Sequence, residues 1–242
     1  MRRTICLWML LAMPVMAQEK KWEFSIGYST TRASSTFESE TFVVPGQNPE
    51  TLKYCTAAGE ESFGPNFQQF FCERKGMNGF DLAATWNVHR YVGIKGNVSS
   101  HFKKESFVDI FEVGPGETFT ADVETKDRIT MLLAGVQLRD NQSSARFRPF
   151  AHALAGAARQ TAHFRLPGAF DASAKETSFA MKVGGGVDVR LTDRIDLRLI
   201  EVNYNPLFAG ERPLKGEGID VPITVNGRTA NNWTVGFGFV VH

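Results

Sequence analysis

Residues 232–241 read NWTVGFGFVV, and this stretch decides the fold because its side chains alternate with a period of two. One face carries only large apolar residues, namely Trp233, Val235, Phe237, Phe239 and Val241. The opposite face mixes glycine with polar residues. A period of two is the signature of a β-strand whose faces meet different surroundings. The segment therefore predicts a strand with one apolar and one mixed face.

The same alternation recurs along the chain. Together with the C-terminal segment it gives eight strands of about ten residues, which is the length that a tilted strand needs to cross a bilayer. Segment 128–138 is apolar on both faces, so its inner face is not assigned. The alternation in 195–204 breaks at Glu201, where a β-bulge would account for the break. The predicted strands are 22–31, 79–88, 92–102, 128–138, 148–158, 179–189, 195–204 and 232–241.

The connections between these strands alternate strictly between long and short. Their lengths in chain order are about 47, 3, 25, 9, 20, 5 and 27 residues. In an up-and-down barrel this order places every long loop at one end and every tight turn at the other, as in bacterial outer-membrane barrels. The predicted fold is an all-β, eight-stranded antiparallel up-and-down transmembrane β-barrel with short periplasmic turns and long extracellular loops.

Composition agrees with a folded membrane barrel and excludes several other classes. With 43% hydrophobic residues and no heptad pattern, the 242-residue chain is neither disordered nor a coiled coil. Lys and Arg total 27 against 26 Asp and Glu, so no net positive field would attract nucleic acid. After the first residues, no run of 18 apolar residues predicts a transmembrane helix.

The N-terminus has the pattern of a secretory signal. Arg2 and Arg3 precede an apolar stretch, and Val15-Met16-Ala17 fits a cleavage site. We expect a signal peptide over 1–17, a barrel domain over 18–242 and a location in the bacterial outer membrane. In the exported part, Cys55 and Cys72 are the two cysteines, and they are expected to form a disulfide, two free thiols being the alternative. The histidines show no metal-ligand spacing, and no cofactor is expected.

The mixed faces of the strands carry charges of both signs. In a membrane barrel the apolar faces turn to lipid and the mixed faces to the lumen. Eight strands leave an interior that side chains can fill, so balanced charges predict an ion-paired plug. A small gated channel is the alternative. The predicted lumen charge network consists of Glu23, Asp81, Lys95, Lys182, Asp188, Arg190, Asp196 and Arg198.

Five segments carry a resemblance to a known family. They are WEFSIGYSTT at 22–31, GFDLAATWNVHRYVGIKGNVSSHF at 79–102, RPFAHALAGAA at 148–158, FAMKVGGGVDVRL at 179–191 and NWTVGFGFVVH at 232–242. With them the chain resembles the small outer-membrane β-barrel family, the OmpA/OmpX-like barrels. The resemblance implies a non-enzymatic structural or adhesive protein. Such barrels usually end in an aromatic residue, whereas this sequence ends in His242.

The long first loop is the expected working surface. It concentrates phenylalanines around the two cysteines, either as a folded lid or as a binding patch. The candidate binding surface is Phe63, Phe67, Phe70 and Phe71. We expect the first and fourth loops together to shape any site. The expected partners are outer-membrane lipid and an extracellular protein or surface ligand.

The sequence contains no familiar catalytic motif. Gly184-Gly185-Gly186 lies inside an alternating strand, so it predicts close packing in the barrel and not a phosphate loop. Ser99 and His101 share one face of a strand, but neighbours on a face lie about 7 Å apart, too far for a nucleophile and its base unless the side chains lean together. A secreted lipocalin-type barrel is the remaining alternative, and it would place its apolar face inside.

Overall fold

The computed structural model describes residues 21–34, 39–42, 50–53, 74–114, 117–166, 170–210, 212–213, 215–217, 223–225 and 229–242. The strands are β1 (Trp22–Ala33), β2 (Ser39–Phe42), β3 (Glu50–Lys53), β4 (Lys75–Asn87), β5 (Val92–Gly114), β6 (Glu117–Arg139), β7 (Phe147–Leu166), β8 (Phe170–Arg190), β9 (Ile195–Phe208), β10 (Arg212–Pro213), β11 (Lys215–Glu217), β12 (Ile223–Val225) and β13 (Thr229–Val241). Among the described residues, no helix is long and apolar enough to cross a membrane.

Eight of the strands close into one antiparallel barrel, in the order β1, β4, β5, β6, β7, β8, β9 and β13. The barrel closes where β13 returns to β1, with Phe24 opposite Val241 and Arg32 opposite Trp233. Within the closed ring each strand is paired on both sides, so the backbone hydrogen bonds at that level are satisfied without water. The predicted fold class, an all-β eight-stranded antiparallel barrel like that of the small outer-membrane barrels, is confirmed.

The connections at one end of the barrel are short. They span residues 88–91, 140–146 and 191–194, and the described chain enters and leaves the barrel at this same end. We call it the turn end and the opposite end the hairpin end. Arg90 in the first turn forms a two-pronged ion pair with Asp140 in the second, with both N–O distances 3.0 Å.

The strands β5 to β8 are longer than predicted. The prediction ended one strand at Phe102 and began the next at Arg128, where the apolar alternation stops. In the structure the backbone pairing of β5 with β6 continues as far as Gly114 opposite Glu117, with an irregularity after Glu112. An antiparallel ladder needs no apolar face where water surrounds it. Two of the predicted long loops are therefore tall β-hairpins that extend the barrel wall.

The two faces of the wall have opposite polarity. On β13 the side chain of Phe237 is 58% exposed, whereas that of Thr234 is 1% exposed. The outward residues of all eight strands form an apolar band that is bounded by aromatic pairs. Trp22 stacks on Trp86 at the turn end, and Tyr204 packs against Trp233 towards the hairpin end. A water-soluble ligand-binding barrel has the opposite arrangement.

A β-bulge in β9 explains where the sequence alternation breaks. Val187 lies opposite Ile200, but the next residue, Asp188, lies opposite Arg198, so Leu199 is an extra residue. Leu199 and Ile200 both face outward. The bulge predicted near Glu201 thus lies two residues earlier, and it lets Arg198 and Glu201 both point into the lumen.

Candidate functional site

Buried charges fill the lumen towards the turn end. Each carboxylate of this group lies within 4 Å of at least one cation. The numbers of cations and carboxylates are equal, so the barrel wall encloses no net charge from them. We call the group the lumen charge network: Lys95, Arg139, Arg148, Lys182 and Arg198 with Glu23, Asp81, Asp188, Asp196 and Glu201.

Arg198 lies at the centre of this network. Its Nε and Nη2 donate to Asp188 at 2.9 and 3.2 Å, and its Nη1 donates to Glu201 at 2.7 Å. The guanidinium carbon lies 4.1 Å from the ring centroid of Phe150, which is a cation–π distance. Asp188 also accepts a hydrogen bond of 2.9 Å from Arg139. One buried carboxylate therefore holds two arginines from different strands.

The network continues to the turn end. Arg139 also pairs with Glu23 on β1, and Arg148 pairs with Asp196 on β9. The Nε2 atom of His242 lies 2.7 Å from Oδ2 of Asp196. Charge-assisted hydrogen bonds of this kind are stronger than neutral ones, and they link strands that are far apart in the sheet.

A second group of polar side chains lies nearer the middle of the barrel. Lys182 donates to Asp81 at 2.6 Å and to Asn97 at 2.8 Å. Lys95 Nζ lies 3.2 Å from His152 Nδ1, within hydrogen-bond distance. These ammonium groups are almost fully buried, and each keeps at least one polar partner. Burial of a charge is tolerable only with such partners.

The structure brings together seven of the eight residues that the sequence placed in the lumen. Arg190 differs, because it lies at the rim of the turn end. Its Nη2 donates to the carbonyl oxygen of Ser143 at 2.8 Å, so it holds the 140–146 turn against the barrel. The other seven, Glu23, Asp81, Lys95, Lys182, Asp188, Asp196 and Arg198, line the interior.

Sequence reasoning missed three members of the network. Arg139 follows a segment with two apolar faces, so its side could not be assigned. Glu201 follows the bulge, which reverses the phase of its strand. Arg148 could have been found, because it shares a face with Phe150 and His152, and the structure buries all three.

An apolar cluster fills the lumen towards the hairpin end. It lies above the charges, and all its members point inward from the wall: Ala33, Met77, Ile129, Met131, Leu133, Leu154, Ala158, Ala180, Leu207 and Ala230. Below it, a cavity of about 20 Å³ lies beside Ser29, Asp81, Arg198, Glu201 and Asn203. This space is enough for roughly one or two water molecules. Within the described residues, charges and apolar side chains together close the lumen.

The lumen contains one serine–histidine contact. His101 Nε2 lies 2.8 Å from Ser29 Oγ, and not against Ser99. Both residues are almost fully buried, and no described side chain bonds His101 Nδ1 to orient the ring as a catalytic triad requires. The described part of the chain also groups no three His, Cys, Asp or Glu side chains that could hold a metal ion.

A second sheet joins the first and fourth connections beyond the hairpin end. Strand β2 from the first connection pairs with β12 from the fourth, with Phe42 opposite Ile223 and Glu40 opposite Val225. Strands β3 and β10 complete the sheet in the order β10, β12, β2, β3. The expected disulfide between Cys55 and Cys72 and the candidate surface of Phe63, Phe67, Phe70 and Phe71 lie outside the described residues.

Comparisons find similar structures but no matching family. No protein-family model and no curated protein matches the chain. The crystal structure of Ail, the attachment invasion locus protein of Yersinia pestis, in complex with the heparin analogue sucrose octasulfate, has 15% identity and a TM-score of 0.46, and the alignment covers 90% of this chain and 97% of that one. Neisserial surface protein A has 12% identity and a TM-score of 0.43, and its alignment covers 91% of this chain and 96% of that one. The outer membrane protease OmpT from Escherichia coli has 11% identity and a TM-score of 0.49, and its alignment covers 94% of this chain and 98% of that one.

Proposed function

We propose that the chain is a non-enzymatic protein of the bacterial outer membrane, exported by the signal at 1–17, whose barrel anchors a binding surface outside the cell. The observation that carries the proposal is the polarity of the barrel. Its outer face is apolar, and its lumen is charged and closed. Such a wall is stable in hydrocarbon and gives no route for solute. Its role is structural or adhesive.

The height of the apolar band supports a membrane position. On β7 the outward residues from Phe147 to Ala157 are apolar or small, and on β8 the same holds from Val189 to Phe179. Ten residue steps along a strand tilted by about 40° rise roughly 25 Å, the height of the apolar band on outer-membrane barrels. Outward lysines and arginines begin directly beyond this band.

The hairpin end supports a role in contact with other molecules. Beyond the band, β5 continues from Phe102 to Gly114, about 40 Å along the strand. The sheet of β2, β3, β10 and β12 joins the first and fourth connections at the same end. A closed barrel with two tall hairpins and a joined outer sheet is suited to present a surface and not to conduct ions.

The closed lumen is tested by electrical recording. The purified chain is inserted into a planar bilayer, with a large-pore porin as the positive control. We expect no stable conductance across the physiological voltage range. Steps that recur in proportion to inserted protein would contradict the closed lumen and favour the gated channel.

The surface role is tested by displaying three forms on cells that lack adhesins. They are the native chain, a variant with residues 35–73 replaced by a short Gly-Ser linker, and a control with residues 106–123 replaced by a two-residue turn. Attachment to immobilised extracellular-matrix proteins is measured. We expect the native chain and the control to attach and the first-loop variant to lose attachment. Equal attachment of all three forms, at the level of cells without the protein, would contradict the adhesive role.

A further inference from the structure

Cations face outward just beyond the apolar band on one side of the barrel. They stand on four consecutive strands, β5 to β8, at positions whose side chains point away from the lumen. All are exposed. We call this group the outer cationic belt: Lys104, Lys126, Arg128, Arg159 and Lys175.

The strand register places these residues in one patch. Lys104 lies directly opposite Lys126. Arg128 and Lys175 both lie opposite Thr161, from the two sides of β7. They are therefore two strand spacings apart, about 10 Å. Arg159 is the diagonal neighbour of Arg128 at roughly 7–8 Å.

The belt has fewer counter-ions than cations, whereas inward charges at the same level are paired. Lys75 is paired with Asp127 at 2.8 Å inside the wall. In the belt, among the described residues, Lys126 alone has an ion pair, with Glu124 at 4.0 Å. Two lysines opposed across a strand pair repel each other. The other four belt cations have no carboxylate partner in the part of the chain that the structure describes, so an external anion would stabilise the belt.

The height of the belt indicates what that anion is. Arg128 lies opposite Phe102, which is 52% exposed at the upper edge of the apolar band. Arg159 stands one outward position beyond Ala157, which lies opposite the exposed Phe179. Side chains directly above the hydrocarbon reach the layer of lipid headgroups. On the other side of the barrel, the outward positions level with Phe102 are the uncharged Thr30 on β1 and Asn78 on β4, and the exposed cation Arg32 lies one outward position beyond Thr30.

We propose that the outer cationic belt binds the phosphate groups of an anionic lipid in the outer leaflet. Basic clusters at a membrane surface attract anionic headgroups, and each cation adds to the attraction. The acyl chains would lie along the apolar outward face of β5 to β8. The inference rests on the proposed membrane position of the barrel, and it adds a specific lipid site on one side of the wall.

The test compares three forms of the full chain in neutral detergent micelles. They are the native chain, Arg128→Gln/Arg159→Gln/Lys175→Gln, and a control with the same charge change at the turn end, Lys21→Gln/Arg146→Gln/Arg194→Gln. Each form is titrated with diphosphorylated lipid A and with the same lipid after removal of its phosphates, and bound lipid is counted by native mass spectrometry. Cold SDS electrophoresis confirms that each form is folded.

We expect the native chain and the control to bind the phosphorylated lipid alike. Because each surface cation adds about fivefold to the affinity, removing three should make the belt variant bind the phosphorylated lipid roughly 100-fold more weakly. For the native chain, raising NaCl to about 1 M should weaken binding of the phosphorylated lipid only, because screening then acts within about 3 Å. This salt test holds even if the belt variant fails to fold.

Two results would overturn the belt. One is an affinity of the belt variant for the phosphorylated lipid within about threefold of the native chain's, because the loss of three surface cations should lower that affinity far more. The other is equal affinity of the native chain for both lipids. If the native chain inserts into bilayers and either result is found, the lipid site at the belt is rejected and the proposed membrane position stands. A native chain that does not insert rejects the proposed membrane position instead.

Discussion

Arg198 and Asp188 form a two-pronged ion pair inside the barrel, with Nε donating to Oδ1 at 2.9 Å and Nη2 donating to Oδ2 at 3.2 Å. Because β8 and β9 are neighbours, this pair fixes the strand register across the bulge at Leu199. The bulge turns Glu201 inward as the second carboxylate partner of Arg198. A backbone irregularity thus completes the lumen charge network.

Removing Arg198 should destabilise the barrel strongly. The substitution Arg198→Leu leaves Glu201 without its arginine and removes one of the two arginines on Asp188. Breaking a buried pair from one side costs about 3–5 kcal/mol. Val235→Ala on the outward face is the control, because that side chain is 45% exposed and lies in the apolar band. The measurement is the urea midpoint of the chain refolded into detergent micelles, and equal midpoints and refolding yields for the two variants would reject a structural role for the network.

Gly186 should tolerate no side chain, because its strand packs closely against β9. A Cβ built on Gly186 collides with the carbonyl oxygen of Ile200. Gly186→Ala therefore forces the backbone apart, and overpacking of this kind costs about 1–3 kcal/mol. Gly96→Ala is the matched control, since no atom lies within 4 Å of its added Cβ. Loss of the folded band on cold SDS gels is expected for the first variant only, and identical behaviour of both would show that the wall can yield at Gly186.

The ion pair between Arg90 and Asp140 should make the turn end sensitive to acid. The hydrogen bond from Arg90 lowers the pKa of Asp140 below its ordinary value of 3.8. Because the folded pKa is the lower one, the stabilisation is complete above pH 3.8 and is lost as the pH falls through the folded value. The amide of Asn141, which donates to the Arg90 carbonyl at 2.9 Å, reports this change.

Hydrogen-exchange protection factors of that amide from pH 6 to pH 2 provide the measurement. In the native chain protection should drop only below pH 3.8, whereas Asp140→Asn should show lower protection throughout and no acid step. Asp193→Asn in the 191–194 turn is the control, because it makes the same charge change in a turn that contributes neither partner of the Asn141–Arg90 hydrogen bond. If the acid step in protection is still present in Asp140→Asn, the step comes from the titration of another group.

The sequence predicted the barrel wall well because lipid and lumen impose a period of two on every strand. The prediction failed where that contrast disappears. Beyond Phe102 polar and apolar residues are mixed on both alternating sets of β5, so the alternation no longer marked a strand, although the backbone ladder continues to Gly114. Hydrogen bonding of the backbone does not depend on side-chain polarity, and periodicity alone cannot detect it.

The lumen was predicted less completely, because a charged residue gives no sign of its direction where the alternation is ambiguous. Arg139 follows a segment with two apolar faces, and Glu201 follows a bulge that shifts the phase. The joining of the first and fourth connections through β2 and β12 depends on contacts between distant parts of the chain. The expectation that those two loops act together had no local sequence pattern behind it.

The central claim, that this chain is a closed barrel in the outer membrane, is tested most directly by electrophoresis. The outer-membrane fraction of the producing cells is run in SDS with and without boiling. A closed barrel stays folded in cold SDS, since each strand of its membrane-spanning ring is paired on both sides. We predict that the protein is found in this fraction and that boiling changes its mobility. A chain recovered from the soluble periplasm, with one mobility in both samples, would contradict the account and favour a lipocalin-type barrel.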